Sequence, residues 1–136
     1  MAIATIGGGA QIGDGNLAEV ALSVIPAPLT ATATANLSVA QLSNGILLGS
    51  PGASAASYTL PTVAALEAAL VNSKVGSSFP VSVINVDGNG SGVITLVTNT
   101  GWTLVGLMTV AATAGTVQLF RARKSGDGAW VLYRYG

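Results

Sequence analysis

Cysteine and histidine are both absent from this 136-residue sequence, and Asp, Glu, Lys and Arg together supply only ten residues while half of all residues are hydrophobic. Without cysteine there is no disulfide, no thiolate metal site and no trace of the redox compartment. Without histidine, tight zinc or copper binding loses its main ligand, and the many Ser and Thr hydroxyls lose the imidazole that ordinarily activates a nucleophile. A Ser–Lys arrangement would need Lys74 or Lys124, both expected in loops or at strand ends. A carboxylate pair for glycoside hydrolysis would come from Asp14, Glu19, Glu67, Asp87 and Asp127, which fall on an arm, a helix and two turns. The expectation is therefore a protein that is not an enzyme and has no catalytic, cofactor-binding or metal site. Charged residues make up 7% of the chain, against about 25% in an ordinary soluble domain. A surface so poor in charge gains little from self-repulsion, so much of it is expected to lie against other protein.

Long apolar runs are missing as well. Residues 88–120 carry no charge, but Gly, Thr, Asn and Ser break them into short pieces. No block of about 20 continuous apolar residues exists, so a membrane-spanning helix is not expected. The opening MAIATIGGG has no Lys or Arg ahead of an apolar stretch, so a secretory signal is not expected either. The glycine-rich GGGAQIGDG at 7–15 lacks the Lys of a phosphate-binding loop, and no parallel βαβ pattern surrounds it. Asp87-Gly88-Asn89-Gly90-Ser91-Gly92-Val93-Ile94 has the oxygen spacing of a calcium loop, but position 12 is Thr98 instead of a bidentate Glu. A hairpin turn is expected there.

The few charges are unevenly placed. Asp14, Glu19 and Glu67 precede the first lysine, Lys74, whereas Arg121, Arg123, Lys124 and Arg134 crowd the C-terminal strands. Two readings stand: solvated charges at a sheet edge that discourage aggregation, or an attraction that draws neighbouring subunits head to tail. Four basic residues without a longer stripe do not suggest nucleic acid.

What is present reads mainly as strands. Residues 1–29 have no durable period and read as an N-terminal arm, with Pro26 and Pro28 favouring extended backbone at a hinge into a domain over 30–136. TATATANLSV at 30–39 alternates as one strand. In LPTVAALEAALVN, Pro61 suits a first helical turn and Val63, Leu66 and Leu70 share a face. One helix of about ten residues is expected, with Glu67 facing away among alanines. From Ser78 onward, alternation and Gly-rich turns predict a hairpin joining 79–84 to VITLVTN at 93–99. Strands follow at 101–106 and 116–124, with a last hairpin through SGDG at 125–128 to AWVLYRY at 129–135. The predicted fold is all-β: a β-sandwich or jelly-roll-like domain with one short helix and an extended N-terminal arm. Phe120, Trp130, Tyr133 and Tyr135, with Trp102 and Tyr58 elsewhere, are expected in the core or at a subunit interface.

Between residues 37 and 136 the chain resembles a family of tailed-bacteriophage structural proteins, chiefly capsid decoration or cement proteins. The pieces that carry the resemblance are YTLPTVAAL, VGSSF with a strand ending in IN, and ITL followed by TGWTLVG. It implies a virion protein on the outer surface of the capsid, often a homotrimer, that clamps neighbouring major capsid protein subunits. No catalytic residue is implied. The interface candidates come from this sequence alone: the arm, together with Trp102, Phe120, Arg121, Arg123, Trp130, Tyr133, Arg134 and Tyr135, because Trp, Tyr and Arg dominate binding hot spots. The alternative is a receptor- or glycan-binding module on a tail fibre or head fibre, with Trp102, Trp130 or Tyr135 stacking on sugars. A third reading is a β-stranded adhesin or spore-coat-like assembly protein.

Overall fold

A computed structural model describes residues 22–136. They form a sheet-rich fold, 42% strand and 10% helix, with the strands divided between two mixed sheets. The elements are β1 (Leu29–Ala31), β2 (Ala35–Asn36), α1 (Val39–Ser43), β3 (Ile46–Gly49), β4 (Ala56–Thr59) and α2 (Val63–Ala69). They continue with β5 (Ser78–Asn85), β6 (Ile94–Val97), β7 (Trp102–Val105), β8 (Thr109–Val110), β9 (Thr116–Gly126) and β10 (Ala129–Arg134). The larger sheet runs β1-β3-β5-β9-β10-β7 and the smaller β2-β4-β6-β8.

From β1 to β9 the chain crosses to the other sheet at every step. Two strands that are neighbours in one sheet are then separated in sequence by a strand of the other, and most come back in the same direction. Hence β1–β3, β3–β5, β2–β4, β4–β6 and β7–β10 pair parallel, while β5–β9, β9–β10 and β6–β8 pair antiparallel. This corrects the expected hairpin across 87–92. Residues 79–84 and 94–97 alternate as predicted, but β5 and β6 belong to different sheets, and the Gly-rich segment between them carries the chain across. Gly92 is required there, because a Cβ on it would meet the Gly52 carbonyl oxygen.

The stretch 30–39 also departs from the single strand expected. It holds two short strands in different sheets and then the start of a second helix, α1. Ser38 caps α1: its hydroxyl accepts from Gln41 N–H, and the Gln41 side chain accepts from Ser38 N–H. The helix of about ten residues expected within 60–72 is shorter, seven residues from Val63 to Ala69. Thr62 is its cap, so Pro61 precedes the helix instead of occupying its first turn. Val63 and Leu66 are buried, and Leu70 packs partly against the core.

Buried side chains of both sheets join one contiguous core. Leu47, Val81, Val83, Phe120, Ala122 and Leu132 come from the larger sheet, and Ala56, Tyr58, Ile94, Leu96 and Val110 from the smaller. Each large aliphatic side chain buried there stabilises by roughly 1.5–3 kcal/mol. Trp102 and Trp130 are register partners on β7 and β10, with ring centroids 6.2 Å apart, and Phe79 lies 5.7 Å from Trp130. Polar ties hold the crossings. Tyr58 donates its hydroxyl to the Ala31 carbonyl at 2.7 Å, linking the sheets, and burial pushes this phenol above its ordinary pKa, opposed in part by a backbone hydrogen bond at Ser50 and reinforced more weakly by the Asp87 carboxylate. Asn85, fully buried, donates to the Gly92 and Ala111 carbonyls, both at 2.9 Å, and accepts from Gly88 N–H at 2.7 Å.

Candidate interaction surface

The second face of the larger sheet is left uncovered among the described residues. Alternation along each strand turns Thr30, Ile46, Leu48, Pro80, Ile84, Val117, Leu119, Arg121, Arg123, Val131, Tyr133 and Val105 away from the core, and every one of them is half-buried or exposed. The six strands contain no Asp or Glu. The face therefore carries no acidic side chain: apolar residues share it with Ser78, Ser82 and Thr103 and with two arginines. Arg121 lies 5.8 Å above the Tyr135 ring and opposite Tyr133 in register, and donates to Ser78 Oγ at 3.4 Å. Arg123 is exposed two residues on, on the same face. Since β9 is an inner strand of the sheet, these arginines are not edge charges, which removes the aggregation-guard reading for them.

The eight sequence candidates divide accordingly. Arg121, Arg123, Tyr133 and Tyr135 come together on this outer face, and Arg134 sits at its flank, donating to the Leu107 and Gly136 carbonyls. Trp102, Phe120 and Trp130 do not join them. All three are buried in the core, Trp102 with its indole N–H on the Pro61 carbonyl at 2.7 Å. They are unavailable as surface anchors on this chain, and the sugar-stacking alternative keeps only Tyr135. The arm expected over residues 1–29 lies outside the described residues up to position 21; from there Leu22, Val24 and Ile25 run exposed into β1.

Lys124 behaves unlike its basic neighbours. It points inward, buried, with its ammonium 3.3 Å from Glu67 and 3.6 Å from Asp127, and donates to the Ser73 carbonyl at 3.3 Å. Glu67 also accepts from Gly128 N–H at 2.8 Å. This overturns the solvent-facing role expected of Glu67: it fastens α2 to the last hairpin. A sequence signal existed, because a lone Glu in an alanine-rich helix had only a handful of cations to meet.

The supposed calcium loop is engaged otherwise. Asp87 accepts from Ser50 Oγ at 2.7 Å and from Gly52 N–H at 3.1 Å, so both its oxygens serve as a clamp on the preceding turn. Among the described residues no cluster of three or more His, Cys, Asp or Glu could hold a metal, and no helix is long and apolar enough to cross a membrane. A groove of about 400 Å³ opens between the end of α2 and the start of β5, lined by Leu70, Ser73, Ser78, Phe79 and Trp130. Val71 and Val75 stand exposed on the turn between those two elements. The groove's lining includes serine hydroxyls but no carboxylate, lysine or arginine side chain. The chain matches no protein-family model, no curated protein and no solved structure.

Proposed function

We propose that this protein is a non-enzymatic structural subunit of a bacteriophage virion, placed on the outer surface of the head, where it stabilises the shell by clamping neighbouring major capsid protein subunits. One observation carries the reading: large apolar side chains are left exposed in three separate places. These are Leu22, Val24 and Ile25 ahead of β1, Val71 and Val75 beside the groove, and Val105, Val117 and Leu119 on the outer sheet face. A free monomer gains nothing from such exposure, whereas a subunit set among several neighbours buries each patch against a different one. The scarcity of charge supports the same reading, and the resemblance of residues 37–136 to decoration proteins supplies the class. In this reading the two facing sheets are a β-sandwich or jelly-roll-like decoration domain, the segment before it an arm, and the assembly a homotrimer in preference to a dimer. No nucleic acid or membrane is engaged.

The test is addition of the purified protein to heads that lack it. Saturable binding in hundreds of copies over the shell, with raised resistance to heat and chelators, is expected. Failure to bind, or equal resistance with and without the protein, overturns the reading. Binding of a few dozen copies confined to the tail would favour the receptor-binding alternative.

A further inference from the structure

The outer sheet face lacks carboxylates, and the described carboxylates are already engaged. Glu67 and Asp127 meet Lys124, and Asp87 meets Ser50 and Gly52. Of the chain's five acidic residues, the other two are Asp14 and Glu19, in a stretch whose apolar residues Leu17, Val20, Leu22, Val24 and Ile25 surround them. The face offers the complementary pattern: Arg121 and Arg123, with no ion pair among the described residues, stand between Pro80 and Tyr133 and between Ser78 and Val131, with the apolar Leu119, Val117, Ile84, Leu48 and Ile46 further along the same face. Two such faces would repel each other through four arginines, so face-to-face pairing of copies is disfavoured. We propose that residues 14–25 of one copy dock on the Arg121–Arg123 face of a second copy, with Glu19 at the arginine pair, joining copies head to tail.

Reach permits this. Leu29 is fixed in β1 by its register with Leu47, and the ten residues from 19 to 28 span up to about 33 Å when extended. The direction of the described stretch favours a neighbour over the chain's own face: Leu22 is 89% and Val24 95% exposed, so the segment leaves its own domain without using the apolar surface there. A head-to-tail contact is heterologous, and it closes into a ring whenever the rotation between copies allows. The inference needs no shell partner, so its failure would leave the capsid reading standing.

A charge exchange on the full chain tests it by sedimentation velocity across protein concentration. Asp14→Lys with Glu19→Lys gives one variant, and Arg121→Glu with Arg123→Glu another. Each alone sets like charges against like and is expected to associate at least tenfold more weakly than the unaltered protein. An equimolar mixture restores association, because the lysine arm of one meets the glutamate face of the other and the unaltered arm meets the unaltered face. Raising salt from about 50 to 500 mM weakens the unaltered assembly, since exposed charges are screened within a few ångströms at high salt. The proposal is overturned if the unaltered chain is monomeric throughout, if both variants associate as it does, or if the mixture stays monomeric, the outcome expected of an arm folded onto its own face. Should the glutamate pair fail to fold, Arg121→Gln with Arg123→Gln must lose both the association and its salt dependence.

Discussion

Deleting the Glu67 carboxylate separates the energetics of a buried pair from those of a surface one. In the folded chain the Lys124 side chain is 7% exposed and that of Glu67 21%. Glu67→Ala leaves the ammonium nearly dry, with only Asp127 at 3.6 Å and the Ser73 oxygens to answer it. Removing one member of a fully buried pair costs roughly 3–5 kcal/mol; the partial exposure of Glu67 scales this to about 2–3 kcal/mol. Lys124→Met behaves differently, because it keeps an unbranched apolar stem and leaves a carboxylate that still accepts from Gly128 N–H and can reach water. Its cost is about 1 kcal/mol, in the range of a modest hydrogen-bond loss. The double variant should therefore be more stable than Glu67→Ala alone, which requires a coupling larger than the cost of Lys124→Met, about 1.5–2 kcal/mol. Urea unfolding monitored by tryptophan fluorescence measures all three, with unchanged m-values required for the comparison. If Lys124→Met is as damaging as Glu67→Ala, or if Glu67→Ala falls within about 0.5 kcal/mol of the unaltered chain, as an exposed pair would, the account of this contact is wrong.

Other expectations follow from the polar ties and close approaches. Asn85→Asp sets a carboxylate against the Gly92 and Ala111 carbonyls. Its folded pKa must rise, so the variant's stability deficit should grow as pH increases through about 4; a deficit independent of pH between 3 and 7 would refute this. Tyr58→Phe loses the bond that joins the sheets at a cost of about 1–2 kcal/mol. Because burial raises the Tyr58 pKa, the tyrosine's contribution is complete below the unfolded phenol's value of about 10 and fades as pH climbs above it. Alkaline unfolding curves of the unaltered and Phe forms should thus converge. Gly101→Ala combines a φ of +92° with a Cβ 2.6 Å from Val63 and should lower Tm by several degrees in calorimetry, while Gly115→Ala, also at positive φ but with open space around it, should lower it less. Calcium titration by calorimetry should give no saturable heat, and Asp87→Ala should loosen the 50–52 turn, seen as faster amide exchange there.

Alternation made much of this molecule readable in advance, because period two in 79–84, 94–97 and 116–124 reports a half-buried strand whichever strand it pairs with. Pairing itself left no such mark. Gly-rich connections serve both a tight two-residue hairpin between β9 and β10 and an eight-residue crossing between sheets from β5 to β6, so composition alone does not reveal strand order, and the segment 87–92 resembles a hairpin although it is a crossing. The capping box Ser38–Gln41 is legible in the sequence, and its three-residue spacing marks a helix start inside the 30–39 stretch that the alternation of Thr and Ala presents as one strand. At the surface, residue type identified Arg121, Arg123, Tyr133 and Tyr135, but could not separate them from Trp102, Phe120 and Trp130. Which side of a strand a large aromatic occupies depends on its register with neighbours, and only Trp102 opposite Trp130 settles it.

The alternation of strands between sheets also governs when this chain can fold. Among the described strands only β9 and β10 pair with their immediate neighbour in sequence; every other pairing must wait until an intervening strand has been placed in the opposite sheet. Neither sheet can be completed first, and the single local nucleus lies in residues synthesised after every other described strand except its own. A nascent chain released before that hairpin emerges therefore holds unpaired strands with apolar faces, and folding is expected to be a late, nearly all-or-none event, slow in the manner of topologies rich in distant contacts. Pulse-labelled amide exchange would show it: protection of β3, β5 and β9 should arrive together, after the β9–β10 turn is protected, and early protection of β1–β3 alone would contradict it.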